Sequence, residues 1–217
     1  MKSFFKKPCP DIIADHVDFG TKRDIRVWKA LFPKLPGPRA LRLSIGAVNI
    51  KALPWILSFV KLEELWVDDK EWKNIRKPIP LARLHGLSPT LKSLRFVRHH
   101  SSLSEIFNLI CSFPDLEDLH LDVQVPFEGD FFNLQTASLL SPKFSGSLVL
   151  EVAMGGRIGP IVNKLLSLQR GLSFSSIKVV CPVVADNSIR KLVSSCSRTL
   201  KSLHVEYAGG NVPFSVC

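Results

Sequence analysis

The residue types that most often do chemistry are scattered along this chain without the spacing of a catalytic or metal-binding motif. The sequence has no GxSxG, HExxH or phosphate-loop pattern. Glu63–Glu64 and Asp68–Asp69 are adjacent pairs, so alternation along a strand would separate the two carboxylates rather than join them for acid–base catalysis. His99–His100 is separated in the same way, and Cys9 and His16 lack partners at zinc-finger spacing. We therefore expect neither an enzyme nor a metal site, and no cofactor.

A basic stretch from Lys70 to Arg98 is one candidate binding site in a chain whose net charge is +10. It has eight Lys and Arg residues, a single acidic residue, Glu71, and an aromatic ring at Trp72. Such a patch could follow a phosphate backbone and stack a base. The candidate contacts are Lys70, Trp72, Lys73, Arg76 and Lys77. We favour a solvated basic loop, because no nucleic-acid-binding module is recognisable.

Composition is typical of a globular protein. Of the 217 residues, 46% are hydrophobic and 22% are charged, which argues against long disordered segments. The five cysteines include no CxxC pair, and Cys111 and Cys196 fall at apolar positions of predicted helices, which favours reduced intracellular thiols. No apolar run could cross a bilayer, and the first residues lack the apolar core of a secretory signal. We expect a cytoplasmic or nuclear protein with no membrane contact.

Short strand-like segments with an apolar-x-apolar core recur seven times along the chain. They are Leu41–Leu43, Leu65–Val67, Leu94–Phe96, Leu119–Leu121, Leu148–Leu150, Ile177–Val179 and Leu203–Val205, at spacings of 24, 29, 25, 29, 29 and 26 residues. Four extend upstream to LxxLxL or a close variant, beginning at Leu62, Leu91, Leu116 and Leu200. This period is typical of leucine-rich repeats. We predict an α/β leucine-rich-repeat-like solenoid of about seven irregular repeats, with parallel strands on the concave face and helices on the convex face.

Amphipathic helices are predicted between the strands, where the apolar period changes from two to about 3.6 residues. One helix presents Ile106, Leu109, Ile110 and Phe113 behind a capping box of Ser102 and Glu105. The other predicted faces are Leu53, Ile56, Leu57 and Val60; Ile161 to Leu168, with Pro160 in the first turn and Gly171 as a stop; and Ile189, Leu192, Val193 and Cys196 after Asn187.

Two parts are predicted along the chain. Residues 1–24 are basic and are expected to be poorly structured or the remnant of a cap, whereas residues 25–217 form a single leucine-rich-repeat-like domain. Two connections, Asp68 to Pro89 and Gln124 to Ser147, are longer than a simple repeat needs. Such insertions usually emerge at one edge of a solenoid, where function often lies.

The outward positions of the predicted strands form the second candidate binding site, because side chains alternate across a strand. The central outward residues are Arg42, Trp66, Arg95, His120, Val149, Lys178 and His204, and their neighbours include Glu64, Asp118, Asp122, Glu151 and Glu206. From these we predict a partner-binding stripe of Arg42, Glu64, Trp66, Arg95, Asp118, His120, Lys178 and His204. Exposed Trp and Arg favour a protein-binding surface. The alternative is a set of merely solvated strand residues.

The phrases LHGLSPTLKSL, SEIFNLICSFPDLEDL and SPKFSGSLVL resemble recurring blocks of a large family of proteins from mushroom-forming fungi. These proteins carry degenerate leucine-rich repeats, often behind an N-terminal F-box, and the resemblance covers roughly residues 25–207. It implies that the repeats bind a target protein, which an F-box would tie to a ubiquitin-ligase scaffold. Residues 1–24 are too short and too charged to hold an F-box, so contact with that scaffold would require an F-box outside this chain.

These observations together predict a non-catalytic protein–protein interaction module, with a role in substrate recognition for a ubiquitin-ligase adaptor implied by the resemblance alone. The alternative is a nucleic-acid-binding protein that uses the basic stretch. Salt-dependent binding to arbitrary nucleic acid would favour the alternative, whereas salt-tolerant capture of a specific protein would favour the interaction module.

Overall fold

The strands of this protein form one sheet in sequence order. The computed structural model describes residues 13–18, 26, 39–45, 53–57, 62–68, 80–87, 90–99, 102–123, 142–152, 157–168, 170–182, 187–207 and 214–216. Nine strands lie within these ranges: β1 (Ile13–Asp18), β2 (Arg39–Ile45), β3 (Glu64–Asp68), β4 (Ser93–His99), β5 (Asp118–Val123), β6 (Ser147–Val152), β7 (Ser176–Cys181), β8 (Ser202–Tyr207) and β9 (Phe214–Val216). Each lies beside its neighbours in sequence. Pairing is parallel from β1 to β8 and antiparallel between β8 and β9.

Helices connect several of the parallel strands, so the predicted α/β class is confirmed. They are α1 (Leu53–Ile56), a 3-10 helix (Leu81–Gly86), α2 (Leu103–Ile110), α3 (Gly159–Leu166) and α4 (Asn187–Ser195). The predicted cap of α2 is present, because Ser102 Oγ accepts a hydrogen bond from the Glu105 backbone N–H at 3.3 Å. Pro160 lies in the first turn of α3, and Gly171 follows that helix with a φ of 71°, which glycine adopts without strain.

The 3-10 helix lies in the longer connection between β3 and β4, for which no helix was predicted. Its inward residues are Leu81 and Leu84, followed by Leu87, and all three are buried. They repeat every three residues, which is the period of a 3-10 helix and not of an α-helix. This spacing is the local signal for the helix, and it does not match the period of 3.6 residues that predicts an α-helix.

The core lies between one face of the sheet and the helices. Along β5 and β6 every second residue is buried, and the intervening ones are half-buried. Leu119 pairs in register with Leu94 on one side and Leu148 on the other, and all three are at most 1% exposed. The inward residues of α2 join the same cluster. Burial of one such leucine contributes about 1.5–3 kcal/mol, and adjacent strands share this core.

The first position of the LxxLxL pattern is also filled in repeats whose sequence lacks a leucine there. Leu62, Leu91 and Leu116 are fully buried. Phe174 is three residues before Ile177, in the place of the first leucine, and is also fully buried. Phe144 lies four residues before Leu148, has a φ of 37° and stacks at 4.9 Å between ring centroids on Phe174. Two phenylalanines therefore occupy positions that leucine fills in the other repeats.

Backbone hydrogen bonds repeat with the same period. The carbonyl of Glu63 accepts from the N–H groups of Lys92 and Ser93, and the carbonyl of Lys92 accepts from those of Glu117 and Asp118. In the same way, the carbonyl of Gly146 accepts from the N–H groups of Ser175 and Ser176, and the carbonyl of Ser175 accepts from those of Lys201 and Ser202. The strands β4, β5, β7 and β8 therefore each begin with a donor pair anchored on the carbonyl before the previous strand, which fixes their register along the sheet.

The register at the first predicted repeat was wrong by two residues. Leu65 pairs with Leu43, not with Leu41, so Ser44 lies beside Trp66 and Arg42 lies beside Glu64. The sequence offers two overlapping apolar pairs in this strand, and only pairing with β3 selects between them. In addition, Ile13–Asp18 lies in the segment 1–24 and pairs in parallel with β2.

The face of α1 also differs from the prediction. Ile56 is buried, but Leu57 is 36% exposed and lies beside Gly86 in the 3-10 helix. The helix ends at Ile56, so the face expected from a longer helix does not continue through Leu57. Val60 lies outside the described residues. Among the helices that the structure describes, none is long and apolar enough to cross a membrane.

Candidate functional site

The face of the sheet opposite the core presents three rows of side chains from β3 to β8, and we name it the outward face. Its central row is Trp66, Arg95, His120, Val149, Lys178 and His204. Its acidic row, nearer the carboxyl ends of the strands, has two parts, because the pairing of β4 with β5 is irregular between Phe96 and His99. The first part is Asp68 and Val97, and the second is Asp122, Glu151, Val180 and Glu206. Its serine row, at the start of the strands, is Glu64, Ser93, Asp118, Ser147, Ser176 and Ser202. Strands lie about 4.8 Å apart, so neighbouring members of a row can contact.

Trp66 and Arg95 form a stacked pair at one end of the central row. The guanidinium carbon of Arg95 lies 4.9 Å from the centre of the Trp66 ring, within the range of a cation–π interaction. The Trp66 Nε1 donates a hydrogen bond to Glu64 Oε1. Among the described residues, Arg95 Nε is buried and has no hydrogen-bond partner. The tryptophan is therefore held by neighbours on two strands and presents a fixed aromatic edge.

His120 occupies the middle of the central row, and its side chain is only 16% exposed. Burial, together with the positive charges of Arg95 and Lys178, lowers the pKa of His120 from 6.5 to about 4. Its Nε2 lies 3.4 Å from Oε1 of Glu151, and that carboxylate alone would favour the charged ring. The burial and the two cations oppose the carboxylate and outweigh it. His120 is therefore neutral at pH 7, and its contact with Glu151 is not an ion pair at that pH.

We expect His120 to make folding sensitive to mildly acidic pH. Because the folded-state pKa is lowered, the unfolded chain takes up a proton below pH 6.5 while the folded protein does not until about pH 4. Stability should therefore be full above pH 6.5 and fall as the pH drops toward 4. At pH 5 the loss from this residue should be about 2 kcal/mol. Urea unfolding of wild type and His120→Gln at pH 7 and pH 5 measures it. Equal acid sensitivity of the two proteins would contradict the assignment.

Glu206 contacts two neighbouring side chains at the other end of the outward face. Its Oε2 lies 4.0 Å from Lys178 Nζ and 3.8 Å from His204 Nε2. These side chains are between 38% and 53% exposed, so each contact adds at most about 1 kcal/mol to folding. The contacts orient the side chains more than they stabilise the fold.

Asp118 accepts hydrogen bonds that hold neighbouring strands together, so it is not an open binding residue. Its Oδ1 accepts hydrogen bonds from the backbone N–H of Ser147 at 2.6 Å and from the Ser147 hydroxyl at 2.8 Å. On the following repeat, the Ser175 hydroxyl donates a hydrogen bond to the carbonyl of Gly146 at 3.0 Å. These contacts fasten the start of β6 to the start of β5 and of β7. A carboxylate with two such donors is already occupied by its own chain.

The predicted site residues fall into three groups in the structure. Glu64, Trp66, Arg95, Asp118, His120, Lys178 and His204 share the outward face. Arg42 pairs in register with Glu64, so it lies in line with the serine row and not with the central row that contains Trp66. The basic candidates Lys70, Trp72, Lys73, Arg76 and Lys77 lie outside the described residues. Alternation along the strands predicted acids beside the central row, but their alignment with one another was not predicted, because it depends on register.

No arrangement suited to metal binding or thiol chemistry is found in the part of the chain that the structure describes. It has no group of three or more His, Cys, Asp or Glu residues that could hold a metal ion. Cys181 and Cys196 are buried, and Cys111 is half-buried. Burial raises the pKa of the Cys111 thiol despite the opposing charge of Lys164, so this thiol is less reactive than an ordinary cysteine.

Comparison with protein-family models, with curated proteins and with solved structures found no match to this chain.

Proposed function

We propose that this protein is a leucine-rich-repeat-type solenoid whose outward face recognises a protein partner without catalysis. The fold part of the proposal is supported by the sequential parallel strand order and by the repeated backbone anchors at 25- to 29-residue spacing. Doubly wound sheets reverse their strand order at a switch point, whereas solenoids add each repeat beside the last. The seven repeats predicted from the sequence remain part of this proposal.

The observation that carries the binding role is the central row. It supplies one side chain from each of six adjacent strands, on the face that does not pack into the core. It begins with a tryptophan held against an arginine, and these two residue types dominate binding hot spots. A rigid aromatic anchor loses little entropy when a partner docks on it.

The resemblance to fungal F-box proteins adds a narrower proposal. In that arrangement the captured partner is a substrate, and an F-box outside this chain ties it to a ubiquitin ligase. If so, substitutions that abolish partner binding by the outward face should raise the steady-state amount of the captured protein in cells. No feature of the described residues favours the nucleic-acid alternative.

The test is affinity capture from the source cell, in which the wild-type chain is compared with a double variant of the central row. We expect Trp66→Ala combined with Arg95→Ala to weaken partner binding at least about tenfold, because hot-spot truncations each cost about 2 kcal/mol or more. The fold should be retained, since both side chains lie on the outward face and are only half-buried. Circular dichroism and urea unfolding of the double variant check this.

The matched control is Arg83→Ala combined with His85→Ala. Both residues are exposed and lie on the 3-10 helix, away from the outward face. The control removes one cation and one aromatic ring, as the test variant does. If both double variants bind the captured protein as wild type does, the central row is not the binding site.

A further inference from the structure

Three serines that the structure describes follow a lysine or an arginine by three residues. They are Ser167 after Lys164, Ser173 after Arg170 and Ser194 after Lys191. Basic residues shortly before a serine form a charge pattern by which protein kinases select their substrates. The pattern is common in sequences and does not identify a modification site by itself. The exposure and the hydrogen bonding of the three hydroxyl groups separate them.

Two of these serines already use their hydroxyl groups inside the protein. The Ser167 hydroxyl donates a hydrogen bond to the carbonyl of Lys164 at 2.7 Å. The Ser173 side chain is half-buried, and its hydroxyl oxygen lies 2.9 and 2.8 Å from two backbone carbonyl oxygens. Ser194 is exposed on α4, and its hydroxyl makes no hydrogen bond with the residues that the structure describes. Its oxygen is therefore the accessible one of the three.

Three exposed cations lie close to Ser194 in the chain. Arg190 lies about one helical turn before it, with Lys191 next to Arg190, and Arg198 lies in the turn that follows α4. None of the three forms an ion pair with an acidic residue in the described ranges. They are therefore available to acidic groups of an incoming enzyme and afterwards to a phosphate on Ser194.

The packing of α4 allows this segment to open. Only Leu192 of α4 is fully buried, whereas α2 has four buried side chains and α3 has three. A protein kinase binds its target serine in an extended segment, so α4 has to unfold locally before Ser194 can react. Elements with few buried apolar contacts open at a low free-energy cost. The weak anchoring of α4 therefore makes Ser194 reachable without global unfolding.

We propose that Ser194 is a phosphorylation site for a protein kinase that selects basic residues ahead of its target serine. The kinase transfers the γ-phosphoryl group of ATP to the Ser194 Oγ. A bond forms between that oxygen and the γ-phosphorus, the bond from this phosphorus to the bridging oxygen breaks to release ADP, and the hydroxyl proton passes to the catalytic base of the kinase. This modification lies outside the outward face and goes beyond the proposed function.

The product changes the charge on the exposed side of α4. Phosphoserine carries about −1.5 to −2 charges at pH 7, so it offsets more than half of the charge of the three neighbouring cations. Ser194 lies one residue before the end of α4, where the helix dipole disfavours an anion. Arg190 and Arg198, four residues away on either side, oppose that effect by forming charge-assisted hydrogen bonds with the phosphate.

The first test is mass-spectrometric mapping of the full chain, purified from the source cell in the presence of phosphatase inhibitors. We expect phosphate on Ser194 and none on Ser167 or Ser173. Absence of phosphate from Ser194, or phosphate on Ser167 or Ser173 in its place, would overturn the proposal.

The second test measures phosphate transfer from radiolabelled ATP to the full chain by cyclic-AMP-dependent protein kinase, which prefers basic residues ahead of serine. We expect Ser194→Ala to abolish labelling, and Arg190→Ala combined with Lys191→Ala to lower kcat/KM at least about tenfold. The control, Arg170→Ala combined with Lys201→Ala, removes the same charge at two exposed residues outside α4 and should be labelled as wild type is. Absence of labelling, labelling that survives Ser194→Ala, or an equal loss in the control would each contradict the assignment.

Discussion

Leu119→Ala should lower the free energy of unfolding by about 2–5 kcal/mol, the cost of truncating a fully buried leucine. Leu119 is 1% exposed and lies between Leu94 and Leu148 in the shared core of three strands. The cavity would open in the middle of the sheet, where both neighbours are held in register and cannot collapse into it. Urea unfolding monitored by tryptophan fluorescence gives the change in stability directly.

The control for this prediction is Val149→Ala on the next strand. Val149 pairs with His120 and lies on the outward face, where it is only half-buried. Its truncation should cost about 1 kcal/mol or less. Because side chains alternate along a strand, a register shifted by one residue would exchange the two results. A loss at Val149 as large as that at Leu119 would contradict the assignment of the core face.

Gly146→Ala should cost about 2–4 kcal/mol, because an added methyl group would meet the carboxylate that anchors β6. A Cβ at residue 146 would lie 2.2 Å from Asp118 Oδ1 and 3.2 Å from the carbonyl oxygen of Glu117. Relief of the clash requires Asp118 to leave Ser147, and a hydrogen bond to a charged group is worth about 1.5–3 kcal/mol. Thermal unfolding with calorimetry measures the loss.

Two further variants isolate the cause. Gly171→Ala places a Cβ in open space at a φ of 71°, so it measures left-handed backbone strain alone, about 1 kcal/mol. Asp118→Ala removes the group that the methyl meets, so Gly146→Ala should cost much less in that background. If the two changes at residues 118 and 146 are additive, the contact is not the reason that glycine occupies this position.

Much of the fold follows from short-range pattern. The alternation in Leu119–Leu121 and Leu148–Leu150 predicted strands whose burial alternates as expected. The face of α2 and its Ser102 cap were predicted because each depends only on residues within two turns of the helix. These features are local, so a single sequence contains all the information that they need.

Features that depend on a neighbouring strand were not predicted. The two-residue shift that separates Arg42 from Trp66 is decided by pairing with β3. Phe144 fills a leucine position from one residue further upstream, which a fixed spacing does not find. The bond from Ser147 to Asp118 joins residues 29 apart, so alternation along the strand predicted Asp118 as an outward binding residue and gave no sign of its anchoring role.

The candidate site was also predictable only in the features that depend on local sequence. Alternation was enough to place Trp66, Arg95 and His120 on one face of the sheet. The neutral state of His120 was not predictable, because it depends on burial and on charges contributed by two other strands. The acidic row likewise exists only once β5 and β6 are aligned.

The central claim is that a protein partner binds the central row of the outward face. The most direct measurement is the dissociation constant of the captured partner for wild type, for Trp66→Ala/Arg95→Ala and for Arg83→Ala/His85→Ala. We predict a value at least about tenfold higher for the first variant and an unchanged value for the second. Equal values for all three proteins, or an equal rise in both variants, would contradict the claim.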